Sequence, residues 1–217
     1  MANNFITLNF ARNIFFIVFL FSSLNAISQV YPFNNWDKQI LVKANTAREV
    51  GYLTDEEKKV IFYINLVRMD PLLFSKTYLQ KFLDSSETKN NKWVISLKNS
   101  LEKAIPVKPL FPEEDLFEVA KKHAVEMGKS GRVGHDGYKT RTNQIENKYD
   151  RIAEDCDYGN SDGLSIVILL LIDEGVVDAG HRKAILEENH FYIGTSIQPH
   201  AVYLYNCVIE FAGKFIK

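Results

Sequence analysis

Two cysteines, Cys156 and Cys207, and five histidines are the side chains of this sequence suited to redox, nucleophilic or metal chemistry. If the chain is exported it meets an oxidising compartment, so the first expectation for the two thiols is a disulfide bridge. Two buried free thiols are the alternative, because the sequence does not give the Cα separation that decides between them. A nucleophilic Cys156 activated by a histidine is a third reading, but no protease signature surrounds it. His123 falls on the apolar face of an expected helix and reads as a core or rim residue. His190 and His200 flank expected strands and read as surface turn residues. No serine or threonine stands in an obvious nucleophile setting.

Export is read from the first 30 residues. Arg12 precedes the apolar run Ile14-Phe15-Phe16-Ile17-Val18-Phe19-Leu20-Phe21, and the small-residue pattern Ala26-Ile27-Ser28 follows. This is the layout of a signal peptide over residues 1–28, and its apolar core falls short of the roughly 18–20 residues of a spanning helix. The remaining chain has the length of one domain rather than two. Residues 29–53, of mixed polarity and no sustained period, read as a lead-in, and 54–217 as the domain. Charged residues make up 24% and the net charge is −1. Without a basic excess the chain is poorly suited to nucleic acid.

The elements that must carry the chemistry follow from periodicity and caps. Thr54-Asp55-Glu56-Glu57 fits a capping box, and Val60, Tyr63, Ile64 and Val67 recur at helical spacing as far as Met69. Asp70-Pro71 ends that helix and starts another, with Phe74, Tyr78 and Phe82 as its apolar stripe. Residues 84–92 are polar and read as a loop. A short helix is expected over Trp93–Lys103, and an amphipathic one runs from Glu113 to Gly128 or Gly131. Residues 131–163 show little periodicity and are expected to form a long irregular stretch that carries much of the chemistry. Leu164–Ile172 is a buried apolar run too short to span a membrane, read as a helix capped by Ser161 and Asp162. A short helix after His181 precedes a hairpin of Phe191–Ile197 and Ala201–Phe211, with Gln198-Pro199-His200 between the strands.

Four stretches, in order, resemble the CAP superfamily (cysteine-rich secretory protein, antigen 5 and pathogenesis-related 1), also called the SCP-like extracellular domain. They are Ile64-Asn65-Leu66-Val67-Arg68; Leu116…His123-Ala124…Met127 with the exit Gly134-His135; Ile152-Ala153-Glu154-Asp155; and Gly180-His181-Arg182…Ile193-Gly194 with Tyr205…Cys207-Val208-Ile209-Glu210-Phe211-Ala212. The resemblance covers roughly residues 54–213. It implies an α+β fold, a three-layer α-β-α sandwich with a small antiparallel sheet.

Members of that family place two histidines and two acids in a central cleft. The resemblance carries the histidines to His135 and His181 and the first acid to Glu154; for the second it offers Glu174, favoured, or Asp173. Such a set suits a divalent metal, zinc being the favoured ion, with Glu154 and Glu174 as the acids of any catalysis. Within this frame Cys156 and Cys207 read as a local bridge that pins the Glu154 segment against the sheet. Arg182 reads either as a partner for a cleft acid or as a plain helix-start salt bridge. The functions implied are a secreted module that binds a small ligand, a lipid or a protein partner, a metal-assisted hydrolase, or a structural envelope protein with a vestigial site. No membrane span is expected in the mature chain.

Overall fold

The computed structural model describes residues 32–86 and 91–216, so the expected leader at 1–28 lies outside the described residues. From residue 32 onward, the stretch expected as a lead-in is part of the fold. After a 3-10 turn (Pro32–Asn35) it forms α1 (Lys38–Ala44), capped by Asp37, whose carboxylate accepts from Gln39 N–H at 2.6 Å. Trp36, Ala44 and Ala47 are buried, and Trp36 Nε1–H donates to Thr77 Oγ1 at 3.2 Å. A helix of 7 residues is too short to display a helical period, which is why the segment reads as irregular.

The capping box is formed as expected. Glu57 N–H donates to Thr54 Oγ1, Thr54 N–H donates back to Glu57 Oε2, and α2 (Asp55–Met69) follows. Asp70 then caps α3 (Pro71–Phe74), which continues through one π turn (Ser75–Leu79) into α4 (Gln80–Asp84). After α5 (Lys92–Lys103) come the two-residue strand β1 (Phe111–Pro112) and the long helix α6 (Glu114–Ser130), closed by Gly131 in the left-handed region. Asn65 and Arg68 of α2 act as struts. Arg68 is fully buried and donates to four carbonyls, those of Lys108, Ile185, Glu187 and His190, at 2.7–3.0 Å. Asn65 accepts from Leu110 N–H at 2.7 Å and donates to Ala44 O at 2.9 Å.

Residues 131–163 are not one irregular stretch. They contain α7 (Tyr138–Thr142) and the strand β2 (Ile152–Tyr158). Three of the seven β2 residues are acids, which have low strand propensity, and they fall on both faces, so no apolar alternation marks the strand. Helix α8 (Gly163–Ile172) is N-capped by Asp162, α9 (Gly180–Leu186) carries His181, and β3 (Tyr192–His200) and β4 (Leu204–Ala212) close the chain. The hairpin turns at Ala201–Tyr203, beyond the expected Gln198-Pro199-His200, which stay in β3.

The sheet order is β1-β3-β4-β2, antiparallel except for the short β1–β3 pair. Register sorts its side chains into two layers. Glu154, Cys156, Val208 and Glu210 face α6, which lies so close that a Cβ on Gly194 would overlap the Leu116–Phe117 backbone. Asp155, Asp157, Cys207, Ile209 and Phe211 point the other way, where the main core joins the sheet to α2 and α8. There a Cβ on Gly163 would stand 2.7 Å from Val60 N, so α8 and α2 need glycine at their crossing. The result is the expected α-β-α sandwich.

Candidate functional site

Strand β2 carries acids to both faces. On the α6 side the Glu154 side chain is buried and accepts from two residues. His135 Nδ1–H donates to Oε1 at 2.8 Å, and Arg141 Nη2 reaches Oε1 at 3.0 Å and Oε2 at 2.7 Å. Glu210 stands directly across the β2–β4 ladder with its side chain on the same face. The loop before α7 aims these groups. Arg141 also bonds Asp136 O, Gly134 N–H donates to the Tyr158 hydroxyl at 2.8 Å, and Gly134 O accepts from His123 Nε2–H at 2.9 Å. His135 is left at the rim, its side chain 49% exposed against 1% for Glu154.

The charges follow from these contacts. Burial alone would raise the Glu154 carboxyl, but its neighbours His135, Glu210 and Arg141 outweigh it and hold the group down at about 2. Burial, and then the charge of Glu154, pushes Glu210 well above the carboxylate range. Burial lowers His123 and raises the Cys156 thiol well above its ordinary value. Cys156 is therefore a protonated thiol rather than an activated nucleophile.

On the opposite side His181 Nδ1–H donates to Asp173 Oδ1 at 2.7 Å. The other oxygen of Asp173 accepts from the backbone N–H of His181 at 3.0 Å and of Arg182 at 3.3 Å. Asp173, which ends α8 in the left-handed region, is thus the acid beside His181. The favoured Glu174 is exposed and makes no hydrogen bond or ion pair to His181 among the described contacts, because the helix end turns it outward. Asp155 and Asp157 line the same layer, and both are raised chiefly by burial, Asp157 to about 6. Arg182 serves no cleft acid by its side chain. It donates to the Leu171 and Ile172 carbonyls and to Ser96 Oγ at 2.7–3.1 Å.

His135 and His181 therefore each have their own carboxylate, and they share no hydrogen-bonding partner. The expected Cys156–Cys207 bridge is absent: both thiols are free, and register places them on opposite faces of the sheet, Cys156 opposite Val208 and Cys207 opposite Asp157. His190 and His200 are buried rather than surface turn residues. His190 Nδ1–H donates to Ala184 O and its ring stacks on Phe211, and His200 Nε2–H donates to Arg132 O.

His123, Glu154 and Cys156 offer ligand atoms within 4.8 Å of one another and could hold a metal ion. They fit one poorly as arranged. His123 Nε2 points its proton at Gly134 O, burial keeps the proton on Cys156, and a cation at Glu154 would stand beside the Arg141 guanidinium. Sequence reasoning missed Arg141 and Glu210. Glu210 carried a signal, an acid inside an otherwise apolar strand; Arg141, among the polar residues before β2, carried none.

Residues 62–211 match the family described as the Cysteine-rich secretory protein family, CAP. Similar solved structures include an extracellular protein containing an SCP domain from Bacillus anthracis, at 22% identity over 50% of this chain and 35% of that one, TM-score 0.41. An outer surface protein from Borrelia burgdorferi is 18% identical over 60% of this chain and 97% of its own, TM-score 0.42. Venom allergen-like protein 4 from Schistosoma mansoni is 13% identical over 76% and 92%, TM-score 0.45. The chain thus spans about a third of the Bacillus protein's length. No curated protein matches the sequence.

Proposed function

The chain belongs to the Cysteine-rich secretory protein (CAP) family, and from that premise we propose that it is an exported binding module whose recognition group is the rim imidazole of His135. Export is supported by the leader pattern of residues 1–28 and by the family. One observation carries the site. A half-exposed ring has its Nδ1–H anchored at 2.8 Å on a buried, ionised carboxylate. A carboxylate that accepts from Nδ1–H fixes the tautomer, so Nε2 is left with a lone pair directed at whatever binds.

That nitrogen suits a hydrogen-bond donor on a small ligand, lipid headgroup or partner, or a divalent cation, with zinc the natural probe for imidazole. His181 on Asp173 has the same arrangement with its side chain 22% exposed. A bound divalent ion would polarise a ligand oxygen. The same geometry weighs against Glu154 as a hydrolytic general base, since its buried oxygens are already occupied by Arg141 and His135. Its role here is to orient the ring.

Calorimetric titration of zinc into the wild type and into His135→Ala tests the reading. Saturable heat in the wild type and an affinity at least tenfold weaker in the variant support it. Superimposable isotherms, or no binding to either protein, would remove His135 as the recognition group.

A further inference from the structure

The α6 side of the sheet buries a second acid that the proposed site has not used. Glu210 is fully buried and sits opposite Glu154 in the β2–β4 ladder with its side chain on the same face. Among the described residues no nitrogen or hydroxyl donor bonds either of its oxygens. The charged and titratable groups around it are Glu154 and the Cys156 thiol from β2, Arg141 and Tyr138 from α7 and, beside Glu154, His123 from α6; Asp155 lies across the sheet. The one permanent cation among them, Arg141, gives its two carboxylate contacts to Glu154.

Two neighbouring carboxyls that share a single guanidinium in a water-poor interior do not both ionise. The one that Arg141 and His135 bond carries the charge, and the other keeps its proton. An un-ionised carboxyl is a donor, and the acceptor that faces it across the ladder is Glu154. We infer that Glu210 is a positioning residue of the His135 site: held un-ionised, it donates to Glu154 and completes a hydrogen-bonded chain from Glu210 through Glu154 to the Nδ1 of His135.

The bond count explains what this does. A carboxylate has about four acceptor sites. Here they are met by His135, by two contacts from Arg141 and by Glu210, so water has none to compete for and Glu154 has no freedom to turn from the ring. The role in ligand binding rests on the reading of His135 given above, whereas the carboxyl pair does not.

The closing experiment separates the two. The folded wild type, with its glutamate carboxyls labelled with carbon-13, is examined by NMR and infrared spectroscopy at neutral pH, together with Glu210→Gln and Glu210→Leu. The inference expects one un-ionised glutamate carboxyl in the wild type, lost in Glu210→Gln. It also expects the His135 tautomer, read from its nitrogen-15 shifts, to be retained in Glu210→Gln, whose amide still donates. In Glu210→Leu, which cannot donate, the Nε2-protonated fraction rises severalfold. A wild type with every glutamate ionised overturns the inference without any variant, and so does an un-ionised signal that survives Glu210→Gln. A tautomer that Glu210→Leu leaves unmoved refutes the positioning role. None of these readouts needs zinc, so a flat calorimetric trace would sink the binding reading alone.

Discussion

Neighbouring residues of β2, Glu154 and Asp155, open onto opposite layers of the sandwich, and each layer holds one histidine whose Nδ1–H rests on a buried carboxylate. The two pairs are built differently. Glu154 keeps its charge because Arg141 donates to it, with Glu210 un-ionised alongside. Asp173 keeps its place through the backbone N–H groups of His181 and Arg182, at the start of α9. The first pair depends on a distant side chain from α7 that must fold back onto the sheet. The second is local, within ten residues of chain, and is part of a helix start. The difference teaches that a like-looking dyad can rest on tertiary electrostatics or on local backbone geometry, and each predicts a different sensitivity.

The largest effect is expected where a charge is left alone. Arg141→Ala strips Glu154 of its cation in a buried setting, and breaking such a pair typically costs about 3–5 kcal/mol. Denaturant unfolding should show that loss. A cost below about 1 kcal/mol would mean that Glu154 takes up a proton without penalty, and the contrast between the two layers would fail.

Next in size are effects of pH, which distinguish the acids within each layer. The folded-state value of Glu154, about 2 against an ordinary 4.5, means that its contribution is present above 4.5 and is lost as pH falls toward 2. Asp157 has the opposite sign. The folded protein holds its proton up to about 6 while the unfolded chain releases it near 3.8, so stability falls as pH rises through that window. Asp157→Asn should remove the decline, up to about 3 kcal/mol at neutral pH at one pKa unit per 1.4 kcal/mol. Glu210, also raised, gives the same sign from 4.5 upward, and Glu210→Gln should be more stable than the wild type at neutral pH. Stability curves against pH for the three proteins check all three signs; a variant that parallels the wild type throughout would break its assignment.

Smaller still is the test of which acid serves His181. Asp173→Ala leaves three donors without their acceptor and should cost about 1–3 kcal/mol. Glu174→Ala, at an exposed position, should stay within about 0.5 kcal/mol of the wild type. Equal effects would return the choice between them to open.

Much of the helical layer was legible in the sequence because its signals are local. The Thr54 capping box and the Asp70-Pro71 junction each lie within about one helical turn, the apolar stripe of α6 repeats at helical spacing along one element, and each is found as expected. Strand β2 was not legible, because its three acids fall on both faces and leave no apolar alternation to detect, and Glu154 finds its partners His135 and Arg141 on the preceding loop and helix. The candidate site was legible to the same extent. The resemblance singled out His135 and Glu154, which stand in one hydrogen bond, but Arg141 becomes part of the group only when α7 folds over the sheet. The choice between Asp173 and Glu174 depended on a left-handed helix end, which the sequence did not mark with glycine.

The last and smallest effect concerns the two sulfurs, one in each layer. Cys156 lies under α6 beside Ala120, Ala124 and Val208, and Cys207 lies in the main core, where it is 3.4 Å from Thr195 Oγ1. Their Cβ atoms leave the sheet in opposite directions, so a bridge would need one strand to slip by a residue, which would turn every buried side chain of that strand outward. Reducing agent should therefore leave the thermal unfolding midpoint unchanged, and titration under denaturing, non-reducing conditions should find both thiols free. A midpoint that falls on reduction would show a bridge, and with it a register in which Glu154 and Asp155 no longer face separate layers.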